Sequence, residues 1–154
     1  MVKVQILMGS KSDIEVAEKA KSVLEEFDVN VAMSVASAHR TPARVEDIVK
    51  DCGADVFIAI AGLSAALPGV VAAHTLRPVI GIPVSGKLNM DSLLSVVQMP
   101  PGIPVAGVGL DRGENAALLA VQILAVADRE LEKKMLEYRE KMAEKVVKDS
   151  EEVY

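Results

Sequence analysis

Aromatic residues are scarce in this chain, whose 154 residues include two Phe, two Tyr and no Trp. A pocket lined by rings is therefore not expected, and the bases of a nucleic acid would find few aromatic side chains on which to stack. Basic residues do not compensate, because 17 Lys and Arg stand against 22 Asp and Glu, for a formal net charge of -5. Since nucleic-acid-binding proteins usually carry a basic patch, we expect no nucleic-acid partner.

Cysteine is limited to Cys52. One thiol cannot form an internal disulfide or a cysteine-rich metal site, so we expect no bound metal. The chain starts in a strand pattern and not in a signal peptide, and its apolar runs are shorter than the ~20 residues of a membrane helix. We therefore predict a cytoplasmic protein without membrane attachment.

Short β-branched runs alternate with helical patterns along most of the chain. This alternation is typical of βαβ units and predicts a three-layer α/β fold with a doubly wound parallel sheet. Two of the runs, 56–61 and 79–82, are apolar without alternation, as expected for strands that helices cover on both faces. Strands are predicted at 4–8, 30–35, 56–61, 79–82 and 105–109. Helices are predicted at 14–27, 43–52, 65–74 and 91–97.

The C-terminal part has a different pattern. From Asn115 the chain is helical and apolar almost all round, which predicts a buried helix. From Asp128 it is rich in charge, with an apolar stripe at spacings of three and four residues: Leu131, Met135, Tyr138, Met142 and Val146. We therefore divide the chain into one α/β domain, residues 1–127, and an amphipathic helical arm, residues 128–154. The stripe fits equally a helix docked on its own domain and an arm that reaches over a neighbouring subunit.

Ligands of doubly wound folds bind outside the carboxyl ends of the strands, so the loops at those ends form the candidate site. The first loop, residues 9–13, contains Ser10, Ser12 and Asp13 and opens a helix. Hydroxyls and free amides at a helix N-terminus can hold a phosphate. An ordinary capped turn explains the same residues, with Ser10 or Ser12 as the N-cap.

The second loop, residues 37–42, is more informative because it contains both an imidazole and a guanidinium. His39 can take and return a proton near neutral pH, and Arg40 can hold a phosphate or carboxylate in a bidentate fork. Thr41 and Pro42 fit the N-cap and the first position of a helix. The alternative is a surface histidine beside an arginine that pairs with a helix carboxylate.

The third loop, residues 62–69, has almost no titratable group. Its small residues would let a flat polar ligand approach closely, or they only permit tight helix packing. Residues 85–91 follow the fourth predicted strand and complete the segments to search. We interpret His74 and Cys52 as structural, because a cation suits a helix C-terminus and nothing basic beside Cys52 would activate its thiolate.

Six segments resemble, in chain order, the signature segments of the PurE family of purine biosynthesis. They are 9–13, 37–42, 67–69, 78–84, 91–105 and 115–124. The resemblance covers essentially the whole chain. It implies a flavodoxin-like domain with an extended C-terminal helix, assembled as a homo-octamer and working without metal or organic cofactor.

The resemblance also implies a reaction on a small-molecule substrate. In the mutase class of the family, N5-carboxyaminoimidazole ribonucleotide becomes 4-carboxy-5-aminoimidazole ribonucleotide as a carboxyl group moves, through CO2, from the exocyclic nitrogen to a ring carbon. His39 would be the general acid and base, Arg40 with two serines would hold the 5′-phosphate, and Asp13 would hold the ribose. The implied substrate-binding residues are Ser10, Ser12, Asp13, Ser37, Ala38, Arg40, Gly62, Ser64 and Leu67.

The third loop departs from the mutase pattern. Mutases of the family commonly have Gly-Ala-Gly-Gly-Ala-Ala-His before Leu-Pro-Gly, whereas this chain is two residues shorter and has Ala66 in place of the histidine. A second class of the family carboxylates aminoimidazole ribonucleotide directly with CO2 and has Arg-Ser-Asn after the glycine, of which only Ser64 matches. Because segment 39–42 follows the mutase, we prefer the mutase, with direct carboxylation as the alternative.

A flavodoxin-like layout also occurs in proteins with three other functions. A phospho-receiver domain is excluded, because it needs acidic residues where Met8 and Ala61 stand. A flavin-binding module usually needs an aromatic ring beside the flavin, and the rings lie away from the loops: Phe27, Phe57, Tyr138 and Tyr154. A non-enzymatic binding or assembly module predicts that replacing His39 changes nothing measurable.

Overall fold

The computed structural model describes residue 1 and residues 3–153, so Tyr154 lies outside the described residues. Within them, strands and helices alternate as predicted. The strands are β1 (Val4–Met8), β2 (Val31–Val35), β3 (Val56–Ala61), β4 (Val79–Pro83) and β5 (Ala106–Gly107). The helices are α1 (Ile14–Glu26), α2 (Pro42–Asp51), α3 (Leu67–Ala73), α4 (Asn89–Val97), α5 (Gly113–Ala125) and α6 (Arg129–Glu151), with a short 3₁₀ turn (Lys11–Asp13) before α1.

All five strands are parallel, in the order β2-β1-β3-β4-β5. The chain runs outward from β1 to β2 and then returns past β1 to β3, so the winding direction reverses between β1 and β3. At the carboxyl end of β1, Met8 pairs with Val35 of β2 on one side and with Ile60 of β3 on the other. The three-layer, doubly wound prediction is confirmed, and the order is that of flavodoxin-like sheets, which place their ligand at this reversal.

Two hydrophobic cores lie on opposite faces of the sheet, because successive side chains of a strand point to opposite faces. In β3, Ile58 and Ile60 join the core beneath α1, α5 and α6, whereas Phe57 and Ala59 join the core beneath α2, α3 and α4. All six residues of β3 are buried. The predicted strands without alternation are thus covered on both faces.

The fifth strand is shorter than predicted, two residues in place of 105–109. Gly109 and Asp111 adopt left-handed backbone conformations, with φ of 97° and 57°, and these turn the chain out of the strand. The strands predicted at 4–8 and 56–61 match β1 and β3, and the other predicted elements differ by one or two residues at one or both ends. The helix predicted at 65–74, for example, spans Leu67–Ala73.

Helix α5 is buried on one face only, so the prediction of a buried helix is confirmed for that face and wrong for the other. Ala116, Ala120 and Val121 are fully buried, whereas Leu118 and Leu119 are partly exposed. The reason is that α6 covers only part of α5. A groove of about 420 Å³ remains between the two helices.

The predicted apolar stripe lies along α6, and only its first half is packed against the rest of the chain. Met135 is buried, and the ring of Tyr138 packs on that of Phe27 at 5.4 Å between centroids. Further along, Met142 is 53% exposed and Val146 69% exposed. The first half of the stripe therefore packs on the rest of the chain, whereas the second half leaves its apolar side chains exposed. Among the helices that the structure describes, none is long and apolar enough to cross a membrane.

Candidate active site

The loops after the first four strands meet at the carboxyl edge of the sheet around a cavity of about 810 Å³. Pockets of this size hold small organic ligands. All ten site residues predicted from the sequence line it: Ser10, Ser12, Asp13, Ser37, Ala38, His39, Arg40, Gly62, Ser64 and Leu67. The sheet topology therefore brings together residues as far apart in the chain as Ser10 and Leu67, because parallel strands end at one edge.

The first loop forms a 3₁₀ turn that leads into α1. Ser10 is its N-cap, and the hydroxyl of Ser10 accepts a hydrogen bond from the Ser12 amide at 3.3 Å. The N-capping role that the sequence allowed for Ser10 is thus confirmed. Gly9 anchors the loop to the sheet, since its amide donates to the carbonyl of Ile60 at 3.1 Å.

Asp13 is the buried acid of the site, with 8% of its surface exposed. Burial raises the pKa of its carboxyl above the usual value of 3.8, and the charge of Asp111 adds to the rise. Hydrogen bonds from the Ser12 hydroxyl, at 3.5 Å, and from the main chain at Ser10 offset part of it. The carboxylate is therefore poorly compensated by the protein, which favours a ligand that donates hydrogen bonds to it.

Ser37 organises the second loop. Its hydroxyl accepts hydrogen bonds from the amide and from Nε of Arg40, both at 3.2 Å. The hydroxyl of Thr41 accepts from the Ser37 amide at 2.9 Å and donates to the Ser37 carbonyl at 3.2 Å. Thr41 and Pro42 occupy the predicted N-cap and first position of α2, but the Thr41 side chain makes no capping bond to the helix. It closes the loop instead, because Ser37 offers it both a donor and an acceptor.

Arg40 joins the first two loops. Its Nη2 donates to the carbonyl of Gly9 at 2.9 Å, so the guanidinium is held on the loop that carries Ser10 and Asp13. The alternative prediction, an arginine paired with a helix carboxylate, is not what the structure contains. His39 is exposed at the cavity, and its imidazole makes no hydrogen bond to any other described residue. A ligand in the cavity would thus meet a fixed cation and an unengaged imidazole.

The third loop supplies a wall of small and apolar residues. Leu63 has a left-handed backbone, with φ of 54°, and its side chain is 83% exposed at the cavity. The Ala66 amide donates to the carbonyl of Ser64 at 2.6 Å, which closes a tight turn before α3. His74 and Cys52 follow α3 and α2, and neither lines the cavity. The wall therefore contributes no titratable side chain.

The fourth loop also lines the cavity, through Val84, Ser85, Gly86 and Leu88. The sequence places residues 85–91 among the loops that form the candidate site but predicts no binding or catalytic role for them. The signal was positional only, since the segment follows a strand and carries no motif. Over the described residues, no group of three or more His, Cys, Asp or Glu could hold a metal ion.

A flavodoxin-like sheet with a ligand-sized cavity at its reversal point, lined by an imidazole, a guanidinium and a buried carboxyl, is typical of α/β domains that bind small ligands. Comparison with known proteins narrows this class. The chain belongs to the AIR carboxylase family, whose model matches residues 3–145. The family expected from the sequence is thereby confirmed.

Named relatives are similar over almost the whole chain. The N5-carboxyaminoimidazole ribonucleotide mutase of Methanocaldococcus jannaschii is 62% identical over 149 residues, which cover 96% of this chain and 95% of the relative. The protein of the same name from Pyrococcus abyssi is 54% identical over 147 residues, which cover 92% and 84%. The crystal structure of PurE from Treponema denticola has a TM-score of 0.89 and 35% identity, and the match covers 99% of this chain and 98% of that one.

Proposed function

We propose that this protein is an N5-carboxyaminoimidazole ribonucleotide mutase, an isomerase of purine biosynthesis. The observation that carries the proposal is that His39, Arg40 and the buried Asp13 line one cavity at the reversal point of the sheet. Membership of the AIR carboxylase family and the names of the two similar relatives support the same reaction.

In this proposal the substrate is anchored by its ribose phosphate. Arg40 and the hydroxyls of Ser10 and Ser12 bind the 5′-phosphate, and what supports this role is the guanidinium fixed on the Gly9 carbonyl beside them. Arginine suits the task because its fork matches phosphate oxygens. Asp13 accepts hydrogen bonds from the ribose hydroxyls, which would compensate a carboxylate that burial leaves poorly solvated.

His39 carries the proton in the proposed reaction. The bond between the exocyclic nitrogen and the carboxyl carbon breaks, CO2 is released in the cavity, and His39 supplies a proton to the nitrogen. A bond then forms between the ring carbon and CO2, and His39 removes the proton that this carbon loses. One imidazole serves both halves because the imidazole that has given its proton to the nitrogen is then the base that takes a proton from the ring carbon.

The third loop keeps CO2 and the ring out of water in this proposal. Leu63, Ala66 and Leu67 line the cavity and offer neither acid nor base. With Ala66 where mutases commonly have a histidine, the proton transfers fall to His39 alone. Ser37, Ala38, Gly62 and Ser64 complete the contacts around the substrate.

The proposal extends to assembly and compartment. The protein acts as a homo-octamer in the cytoplasm, with residues 1–127 as the catalytic domain and residues 128–154 as the arm that contacts neighbours. What supports the contact with neighbours is the exposed apolar half of α6, at Met142 and Val146, and the partly covered face of α5. Light scattering should give about eight times the chain mass of 16.3 kDa, and a monomer would contradict the assembly.

The decisive experiment compares two substrates on the purified protein. One reaction receives N5-carboxyaminoimidazole ribonucleotide, and the other receives aminoimidazole ribonucleotide with high bicarbonate. We expect efficient turnover of the first. Efficient use of only the second pair would identify a direct carboxylase, and no turnover of either would leave a non-enzymatic binding module.

The catalytic role of His39 is tested by His39→Asn, with His74→Asn as the matched control. The first variant keeps a polar side chain of similar size but loses the proton carrier, so kcat should fall about 100-fold or more. His74 ends α3 outside the cavity, so its replacement should leave kcat unchanged. Near-full activity of His39→Asn would refute the mechanism.

A further inference from the structure

The fourth loop is held at the cavity wall by its main chain. The Val84 amide donates to the Ala61 carbonyl at 2.9 Å, which continues the ladder between β3 and β4. The Val84 carbonyl accepts from the Ser92 hydroxyl at 3.1 Å. One residue further, the Ser85 amide donates to Oδ1 of Asp111 at 2.9 Å. Residues from β3, from α4 and from the segment before α5 therefore hold Val84 and Ser85 in place.

Asp111 supplies hydrogen bonds to the end of β4 where β5 no longer pairs with it. β5 stops at Gly107, so no main-chain ladder reaches the end of β4 from that side. Asp111 bonds there twice instead, because its amide donates to the Pro83 carbonyl at 3.0 Å and its carboxylate accepts from Ser85. Its backbone is left-handed, with φ of 57°, a conformation that Asp and Asn tolerate better than most residues.

The contact matters for the cavity because Ser85 lines it and Asp111 does not. The Ser85 side chain makes no hydrogen bond to another described residue, so its hydroxyl stays available to a ligand. Asp111 also lies near enough to Asp13 for its charge to act on that carboxyl. Asp111 thus stands behind the wall formed by the fourth loop and outside the cavity itself.

We propose that Asp111 is a positioning residue for the substrate site, which holds the amide of Ser85 and thereby fixes the fourth loop against the bound substrate. The effect of Asp111 on substrate binding rests on the proposed mutase function. Placement of the loop does not depend on the reaction and can be measured without it.

Three substitutions at one position separate the hydrogen bond from other effects. Asp111→Asn keeps an acceptor and a residue that tolerates the left-handed backbone. Asp111→Gly and Asp111→Ala both lose the acceptor. The glycine adopts the left-handed backbone more easily, whereas the alanine does not. For both we expect KM to rise about tenfold with kcat within about threefold of wild type, whereas Asp111→Asn stays within about threefold in both constants.

Asp28→Gly is the matched control, because Asp28 has the same φ of 57° and also makes one side-chain contact, to Lys134 at 2.7 Å. It follows α1 at the opposite edge of the sheet and does not line the cavity. Its replacement should leave KM unchanged. Wild-type KM in Asp111→Gly and Asp111→Ala, or equal damage in all three Asp111 variants, would overturn the proposal.

Hydrogen–deuterium exchange of the full chain distinguishes this proposal from the proposed function. The amides of residues 84–86 should exchange about tenfold faster in Asp111→Gly and Asp111→Ala than in wild type or Asp111→Asn. Unchanged exchange would refute the positioning role even in an active enzyme. Faster exchange in a protein that turns over neither substrate would instead refute the function and leave the placement of the loop intact.

Discussion

At Gly113 the backbones of α1 and α5 touch. Gly113 is the first residue of α5, and a methyl group added to it would lie 2.3 Å from the Val16 carbonyl oxygen and 3.1 Å from the Ala20 amide nitrogen. Two of the nearest atoms belong to the backbone of α1, so no rotamer change relieves the contact. We therefore predict that Gly113→Ala forces the two helices apart and destabilises the protein.

The expected cost follows from the size of the overlap. Non-bonded heavy atoms prefer separations of about 3.5 Å or more, so the helices must move apart by about 1 Å. Overpacking of this kind costs about 1–3 kcal/mol, and the rigid backbone contact favours the upper end. Alanine recovers up to about 1 kcal/mol over glycine in a helix, which leaves a net loss of about 2 kcal/mol. For a chain of this length, the melting temperature should fall by about 4–8 °C.

Urea unfolding at one fixed protein concentration measures this loss, because assembly makes apparent stability depend on concentration. Gly53→Ala is the control: a methyl group there meets no atom within 4 Å, but the backbone has φ of 63°. Its expected cost of about 1 kcal/mol is conformational and not steric. A Gly113→Ala variant within about 0.5 kcal/mol of wild type would refute the argument that the α1–α5 spacing is rigid at this point.

Two further predictions concern charged groups of the site. Arg40→Leu should raise KM by about tenfold to 100-fold with little change in kcat, since it removes charged hydrogen bonds to the phosphate. Steady-state kinetics measures this, with Arg77→Leu as the control because Arg77 is also exposed. An unchanged KM in Arg40→Leu would show that the phosphate binds elsewhere. Burial raises the pKa of Asp13, so its ionised form opposes folding and its contribution becomes less favourable as the pH rises from about 4 towards neutrality. The urea midpoint of Asp13→Asn, relative to wild type, should therefore increase between about pH 4 and about pH 7, and a constant difference would contradict the effect of burial.

The layer order and the position of the candidate site were predictable from the sequence because their signals are local. The apolar run of β3 indicates a strand covered on both faces, and loops at the carboxyl ends of parallel strands must converge. His39 and Arg40 sit in such a loop, so their presence at the cavity followed once the strands were identified. The family resemblance added the reaction and the role of each residue.

Other features depend on contacts between distant parts of the chain. Arg40 bonds to Gly9 across 31 positions, and Ser85 bonds to Asp111 across 26. Neither pairing leaves a periodic or capping signal in the sequence. The position of the fourth loop at the cavity is therefore predictable from the sequence, but its contact with Asp111 is not. The sequence pattern also predicts more burial of α5 than the structure has, because hydrophobicity indicates which residues favour burial and not how far α6 reaches over them.

The sequence by itself therefore determined the alternation of strands and helices, the two apolar faces of the sheet and the loops that carry an imidazole, a guanidinium and a carboxyl. Only the tertiary structure decided that Arg40 is fixed on the first loop, that the Thr41 hydroxyl closes its own loop and that Asp111 bonds to the end of β4 where β5 has already stopped. The physical reason is that periodicity and capping act over a few neighbouring residues. Hydrogen bonds between loops form only after the packed sheet has set the distance between them.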